Sequence, residues 1–248
     1  MMNKSVIGVI ISTALFSSSA IAGQWSLGAI TSYSPAVYKD TDSNQVVIPL
    51  VGYEGEHVFL RGFSAGARLF PAGTPQNIIF RVRYDPRTLK PSDSDNLQIQ
   101  QLDERESSVL AGVSYQQITP VGIFEIGAGT DIGNQHNGLY AEAAWRLPIR
   151  ANRWSVTPEI GLAYNSDKIN NHLYGVSEAE SVRSGLAEFD AGWDGQYFIG
   201  MNGHFMLSQH IRITAGIRYS NLEGDIASSP ILERSVSHSG SLGIAYIF

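Results

Sequence analysis

The chain has 248 residues, 43% of them apolar, with a formal net charge of −6 and no cysteine. This length suits one large domain, the missing cysteines exclude a disulfide-stapled scaffold, and the acidic balance argues against nucleic acid, whose phosphates require a basic excess. A mean hydropathy of −0.06 is what alternating lipid-facing and lumen-facing residues average to.

Taken in order, Lys4 precedes an apolar run from Val6 to Phe16, and Ala20-Ile21-Ala22 supplies the small-x-small pattern of a cleavage site. The pattern predicts a signal peptide over residues 1–22 and a mature domain over residues 23–248. No stretch approaches the roughly 20 apolar residues a spanning helix needs, so an exported chain that enters a membrane must do so as strands.

Trp25 to Tyr33 alternates and stops at Ser34-Pro35, where proline lacks the N–H a ladder requires. Strands follow at Gln45 to Tyr53, His57 to Gly62 and Phe63 to Phe70, and Asn77 to Asp85 sets Ile78, Phe80, Val82 and Tyr84 against Ile79, Arg81, Arg83 and Asp85. Residues 86–106 form a long polar connection carrying Pro86 and Pro91. Ser107 to Thr119, Gly122 to Asn134, Gly138 to Ile149, Trp154 to Ser166, Gly192 to Leu207 and His210 to Leu222 complete the series before a closing strand from Ser237 to Phe248. Short turns alternate with long connections at residues 167–191 and 223–236, the rhythm of short periplasmic turns and long outer loops.

These elements predict an all-β fold: a transmembrane antiparallel up-and-down β-barrel with both termini in the periplasm. Twelve strands is the preferred count and ten the alternative if short runs are loops. Tyr246 and Phe248 are expected on the lipid side of the closing strand, in contact with outer-membrane lipid.

Period-2 alternation sends Arg68, Arg81 and Arg83 inward on the fourth and fifth strands and Arg212 and Arg218 inward on the eleventh. Glu125, Asp131, Glu142 and Glu159 point inward on strands seven to nine, so strand order puts basic and acidic walls on opposite sides of the lumen. Arg146 breaks this segregation and is expected to pair with Glu142 or Glu159. Two readings follow: a compensated, plugged interior, because confined charges need partners, or a narrow aqueous passage for small polar or anionic solutes. The first is favoured, since Arg and Glu side chains fill most of a twelve-stranded lumen.

Chemistry has little support. The pairs His238 with Ser239 and His172 with Asp167 are the catalytic candidates, but adjacency supplies neither hydrogen-bond reach nor an orienting third group, and adjacent strand residues face opposite ways. No metal, nucleotide or other cofactor motif occurs, so the reading is non-enzymatic.

Two loop strings are more specific. Asn171-His172-Leu173-Tyr174-Gly175-Val176-Ser177, continuing to Ser184-Gly185-Leu186, and Leu222-Glu223-Gly224-Asp225-Ile226-Ala227-Ser228-Ser229-Pro230-Ile231, with the ending Gly243 to Phe248, resemble the MltA-interacting protein/OmpV family. The resemblance spans the mature chain and is strongest after Asp167. It implies an outer-membrane β-barrel, and from the founding member an envelope scaffold joining a lytic transglycosylase to a peptidoglycan synthase. Gly175, Gly185 and Gly224 are expected to take backbone angles closed to other residues, Asp225 or Ser228 to cap turns, and Pro230 to stiffen the return. A third reading has the long loops bind an external partner.

Overall fold

The computed structural model describes residues 23–222 and 224–248; the expected signal peptide lies outside the described residues. Thirteen strand segments form one continuous sheet that closes on itself. The staves are β1 (Gln24–Ser34), β2 (Asn44–Glu54), β3 (Val58–Arg61), β4 (Ser64–Arg68), β5 (Gln76–Asp85), β6 (Ser108–Thr119) and β7 (Gly122–Asp131). β8 runs Leu139–Arg146 and resumes as Ile149–Ala151, both parts pairing with β9 (Trp154–Asn165). β10 (Asp194–Met206), β11 (Ile211–Leu222) and β12 (Val236–Ile247) complete the circuit. The barrel therefore has twelve antiparallel staves.

Closure is made by β1 and β12, in register from Ser26 opposite Ile247 to Tyr33 opposite Gly240. The last residue joins in, with Phe248 N–H donating to the Trp25 carbonyl at 3.0 Å. Closure of this kind meets the backbone groups of a strand from both sides, as hydrocarbon surroundings demand, except along the outer part of β2, which pairs with β3 only at Gly52, Tyr53 and Glu54. Alternation does the rest: Trp25, Leu27, Phe80, Ile126, Leu162, Ile217, Leu242, Tyr246 and Phe248 are exposed on the outer face, while Ile30, Ile79, Ile123, Phe198 and Ile247 are buried inside. No helix among the described residues is long and apolar enough to cross a membrane.

Prolines mark where the ladder is broken. The β8 interruption at Leu147-Pro148 lies opposite Pro158 of β9, whose carbonyl accepts from Leu147 N–H at 3.0 Å while its nitrogen has nothing to donate. β3 and β4, expected at His57 to Gly62 and Phe63 to Phe70, are the two short staves, four and five residues long.

The outer connections depart most from expectation. Instead of extended loops they fold, as short 3₁₀ turns at Pro91–Asp93, Ile99–Gln101 and Gly224–Ser228 and as α1 (Asp167–Tyr174) and α2 (Glu178–Ser184). Ile169 and Leu173, four residues apart on one face of α1, pack with Tyr38, Leu89, Ile99, Leu102, Ile226 and Ile231 in a single buried core. At about 1.5–3 kcal/mol for each fully buried large aliphatic side chain, this core turns four separate loops into one cap over the outer mouth. α2 begins with a capping box, the Ser177 hydroxyl and Glu180 carboxylate each meeting the other's backbone N–H.

Candidate functional site

The inward faces of β5 to β11 carry a girdle of paired charge. Arg81 donates to Glu125 at 3.0 Å, and Arg146 reaches Glu125 at 2.9 Å, Glu159 at 3.3 Å and Glu142 at 3.8 Å. Arg83 approaches Glu142 at 3.6 Å and Arg218 approaches Glu159 at 3.7 Å. Ser114 adds a hydrogen bond to Glu125 at 2.9 Å, and the guanidinium groups of Arg83 and Arg218 lie over the rings of Tyr140 and Phe198. Strand order does put the basic residues on β5 and β11 and the acids on β7 to β9, but the long side chains span the gap. The walls are therefore interlocked rather than opposed. Arg146 sits at the hub, touching three carboxylates where sequence reasoning gave it one.

Three expected lumen charges stand apart. Asp131 ends β7 at the rim, where its carboxylate accepts from the backbone N–H groups of Gly133, His136 and Asn137 at 2.8–3.0 Å; it shapes the 132–138 turn and has no part in the girdle. Arg68 belongs to a separate periplasmic-end cluster in which it and Arg61 both bond Glu54 and flank the Phe59 ring. Arg212, towards the same end on β11, has no carboxylate within ion-pair distance among the described residues, and its buried Nε lacks a hydrogen-bond partner.

Much of the remaining lumen wall is lined by small groups: Gly28 and Ser32 on β1, Ser239, Ser241, Gly243 and Ala245 on β12, and Thr214 and Gly216 on β11, with Ile30, Ile247 and Arg212 as larger residues among them. These residues alternate with the exposed apolar set on the same strands.

The loop-motif residues meet in the cap. Asn171 donates to Asp190 at 2.7 Å and to the Ala191 carbonyl at 3.0 Å, and accepts from Ala191 N–H. His172 bonds the Glu106 carbonyl at 2.9 Å, and Ser229 donates to the Tyr174 carbonyl at 2.6 Å. Tyr38 donates to the Leu173 carbonyl, and Arg105 ties the Gly175 carbonyl to Glu180. Burial, with Tyr174 alongside, pushes the Tyr38 hydroxyl far above its ordinary range, and burial likewise raises Tyr174. Burial alone would lower Arg87, but the Asp85 carboxylate beside it outweighs that and holds it charged.

Gly185 (φ 73°) and Gly224 (φ 64°) use the left-handed freedom expected of them. Gly175 does not: its φ is −70°, and the reason for glycine is space, since a Cβ there would stand 2.6 Å from the Asn171 carbonyl. Pro230 precedes Ile231, which is fully buried in the cap core. Asp225 lies in the first turn of Gly224–Ser228, and the side chain that bonds across is that of Ser229 rather than Ser228. Sequence reasoning missed the helices although Ser177 and Glu180 spelled a capping box.

The catalytic candidates are not brought together. His238 is exposed on the outer face of β12 while Ser239 turns inward, and the His172 ring is occupied by Glu106 and packs 5.3 Å from His136. No group of His, Asp and Glu among the described residues is arranged to hold a metal ion.

The family model for the MltA-interacting protein MipA matches residues 27–248. The chain belongs to the MltA-interacting protein family. A family relative, the MltA-interacting protein of Escherichia coli (strain K12), is 30% identical over 242 residues, covering 98% of this chain and 97% of the relative. Outer membrane protein OmpV of Vibrio cholerae is 25% identical over 227 residues, covering 91% and 87%. Among solved structures, the translocator domain of the autotransporter NalP from Neisseria meningitidis is similar at a TM-score of 0.49 and 12% identity, covering 92% of this chain and 89% of that one. For this member of the MltA-interacting protein family, the barrel and the outer-membrane relatives together place the protein in the outer membrane.

Proposed function

We propose that this barrel is a closed, non-enzymatic outer-membrane scaffold that docks a peptidoglycan-remodelling enzyme, a lytic transglycosylase in the first instance, at its periplasmic face. The observation that carries the reading is the interior itself. A girdle anchored on β5, β7, β8, β9 and β11 crosses the lumen below a cap with its own hydrophobic core. A barrel so filled acts through its surfaces. The relative named MltA-interacting protein supplies the partner class, and a peptidoglycan synthase is the second partner implied.

The docking surface we assign is the residue 69–75 turn, which is longer than the neighbouring turn between β6 and β7 and presents Leu69 and Phe70 at 53% and 48% exposure. Aromatic and aliphatic anchors of this kind dominate interface energetics. The test is retention from a detergent extract. Wild-type protein is expected to hold back a lytic transglycosylase, and Phe70→Asp combined with Leu69→Asp to release it. Failure of the wild type to retain either a transglycosylase or a synthase refutes the reading.

A narrow passage for small polar or anionic solutes remains the second reading. It is favoured by one observation, the small-residue sector of β11, β12 and β1 beside the girdle.

A further inference from the structure

β3 and β4 rise only partway up the wall. β2 pairs with β3 at Gly52, Tyr53 and Glu54 alone, whereas it pairs with β1 from Gln24–Glu54 to Ser34–Asn44. The hairpin turns at Gly62-Phe63, where Gly62 N–H reaches the Val51 carbonyl at 3.3 Å and the Phe63 carbonyl accepts from Tyr84 N–H at 3.0 Å. Above that level no strand flanks residues 44–50 of β2 on the side away from β1 among the described residues.

The opening is bounded on three sides. β2 forms one side and the hairpin tip the sill, where the Phe63 ring packs against Tyr84. On the other side β5 ends at Asp85, and the chain passes into the cap, where Leu89 is buried in its core. The lintel is a bridge between two cap loops: Thr41 pairs with Ser94, the Asp40 carbonyl accepts from Asp95 N–H at 2.9 Å, and Ser94 donates to the Lys39 carbonyl at 2.8 Å. Seven strand residues at about 3.3 Å each span roughly 20 Å. With strand tilt this takes up the outer half or more of a lipid-facing band about 25 Å tall.

Proline placement says independently that this edge is meant to be open. Because Gly62 bonds the Val51 carbonyl, odd-numbered residues of β2 turn their N–H and C=O away from β1. Pro49 is odd-numbered, so its missing donor faces the opening and costs no ladder bond. The same rule put Pro158 opposite the break in β8. A strand added at this edge would meet Pro49 and lose a hydrogen bond, which is how edges are guarded against strand addition.

What borders the opening is apolar on both faces. Val47 is 70% exposed to the outside, and Ile48 and Leu50 face inward. Behind them on β1 lie Ile30 and Ser32, each 4% exposed, and the Ser32 hydroxyl is buried without a hydrogen-bond partner. Backbone groups of Val47 and a buried hydroxyl left unmet in hydrocarbon each cost on the order of several kcal/mol.

We infer that this window is a lateral port that seats one acyl chain of an outer-leaflet amphiphile, its tail against Val47, Ile48, Pro49 and Leu50 and its hydroxyl or amide groups meeting the open backbone edge and Ser32. The occupant is a lipid because the window is continuous with the lipid-facing surface and because Pro49 disfavours a strand. The inference is independent of the scaffold reading.

The absence of native cysteine makes the test direct. The full barrel is reconstituted in phospholipid vesicles containing a maleimide carried at the end of a phospholipid acyl chain. Ile48→Cys faces the lumen beside the window, Val47→Cys faces lipid, and Ser241→Cys faces the lumen behind the complete β11–β12–β1 wall. Leu50→Cys substitutes if Ile48→Cys fails to show the heat-modifiable migration of a folded barrel. The port predicts that Ile48→Cys or Leu50→Cys labels about as fast as Val47→Cys and an order of magnitude faster than Ser241→Cys. Labelling no faster than Ser241→Cys overturns it, as does a Val47→Cys that is shielded from the reagent and instead forms a disulfide dimer, which would mean that a second copy covers the edge.

Discussion

One half of the lumen is filled by charged side chains and the other is lined mostly by small groups. From β5 to β9, long charged side chains converge on Arg146, and each of Glu125, Glu142 and Glu159 meets at least one guanidinium; from β11 through β12 to β1, most inward positions are glycine, serine, threonine and alanine, with Arg212, Arg218, Ile30 and Ile247 as the larger residues among them. The contrast teaches where rigidity resides. A buried ion network contributes little net stability over an apolar replacement, but removing one partner strands the others. The small-residue half carries no such debt and is the half that tolerates change.

The largest effect expected is from Arg146→Ala, which removes the guanidinium shared by three carboxylates and leaves Glu125 with Arg81, and Glu159 with the more distant Arg218, as the remaining arginine partner. It should lower stability in urea unfolding from detergent by about 3–5 kcal/mol. A triple variant with Arg146→Met, Glu125→Gln and Glu159→Gln should recover most of that loss; if both lose equally, the network is not a coupled unit. Next, Gly161→Ala and Gly216→Ala sharpen the contrast between halves. A Cβ on Gly161 would lie 2.3 Å from the Phe198 ring and 2.6 Å from the Ala143 carbonyl, whereas one on Gly216 meets only the ends of the Asn202 and Ser241 side chains. The first should cost about 1–3 kcal/mol and the second stay within about 0.5 kcal/mol, read by the same unfolding curves.

The cap is expected to respond to acid. Burial lowers the His136 imidazole, with the neighbouring His172 adding to it against the opposing pull of Asp131. A base depressed in the folded state binds its proton more readily when unfolded, so its contribution is whole above the unfolded value near 6.5 and is lost as pH falls below it. Burial would raise the Glu180 carboxyl, but the Ser177 and Asp103 N–H groups and Arg105 outweigh it and hold it below the usual range. Its contribution is present above about pH 4.3 and is lost below. Proteolysis within residues 166–193 should therefore speed up in two stages on acidification while the barrel stays folded; a flat profile contradicts both assignments. Smallest of all, Arg183→Ala breaks a largely exposed pair with Asp103 and should shift the same protease sensitivity by less than about 1 kcal/mol.

The staves were legible because alternation is a two-residue signal that survives even in Asn77–Asp85 with its paired arginines. Closure was legible at Phe248. The girdle's members were readable by parity, but their pairing was not: side-chain reach across strands depends on barrel radius and shear, which no single strand encodes. The cap was missed because polar loops were read by composition, although Ile169 with Leu173 and Ser177 with Glu180 carried helical spacing. Pro49 lies in the middle of β2, and the parity that makes it mark an open edge depends on which neighbour each backbone group faces, which one strand's sequence does not encode.

The claim on which the account turns is that the girdle and cap close the interior. Single-channel recording of the purified barrel in planar bilayers at neutral pH tests it directly. The account predicts no stepwise current from the wild-type protein; reproducible ohmic steps would show an open passage and contradict it.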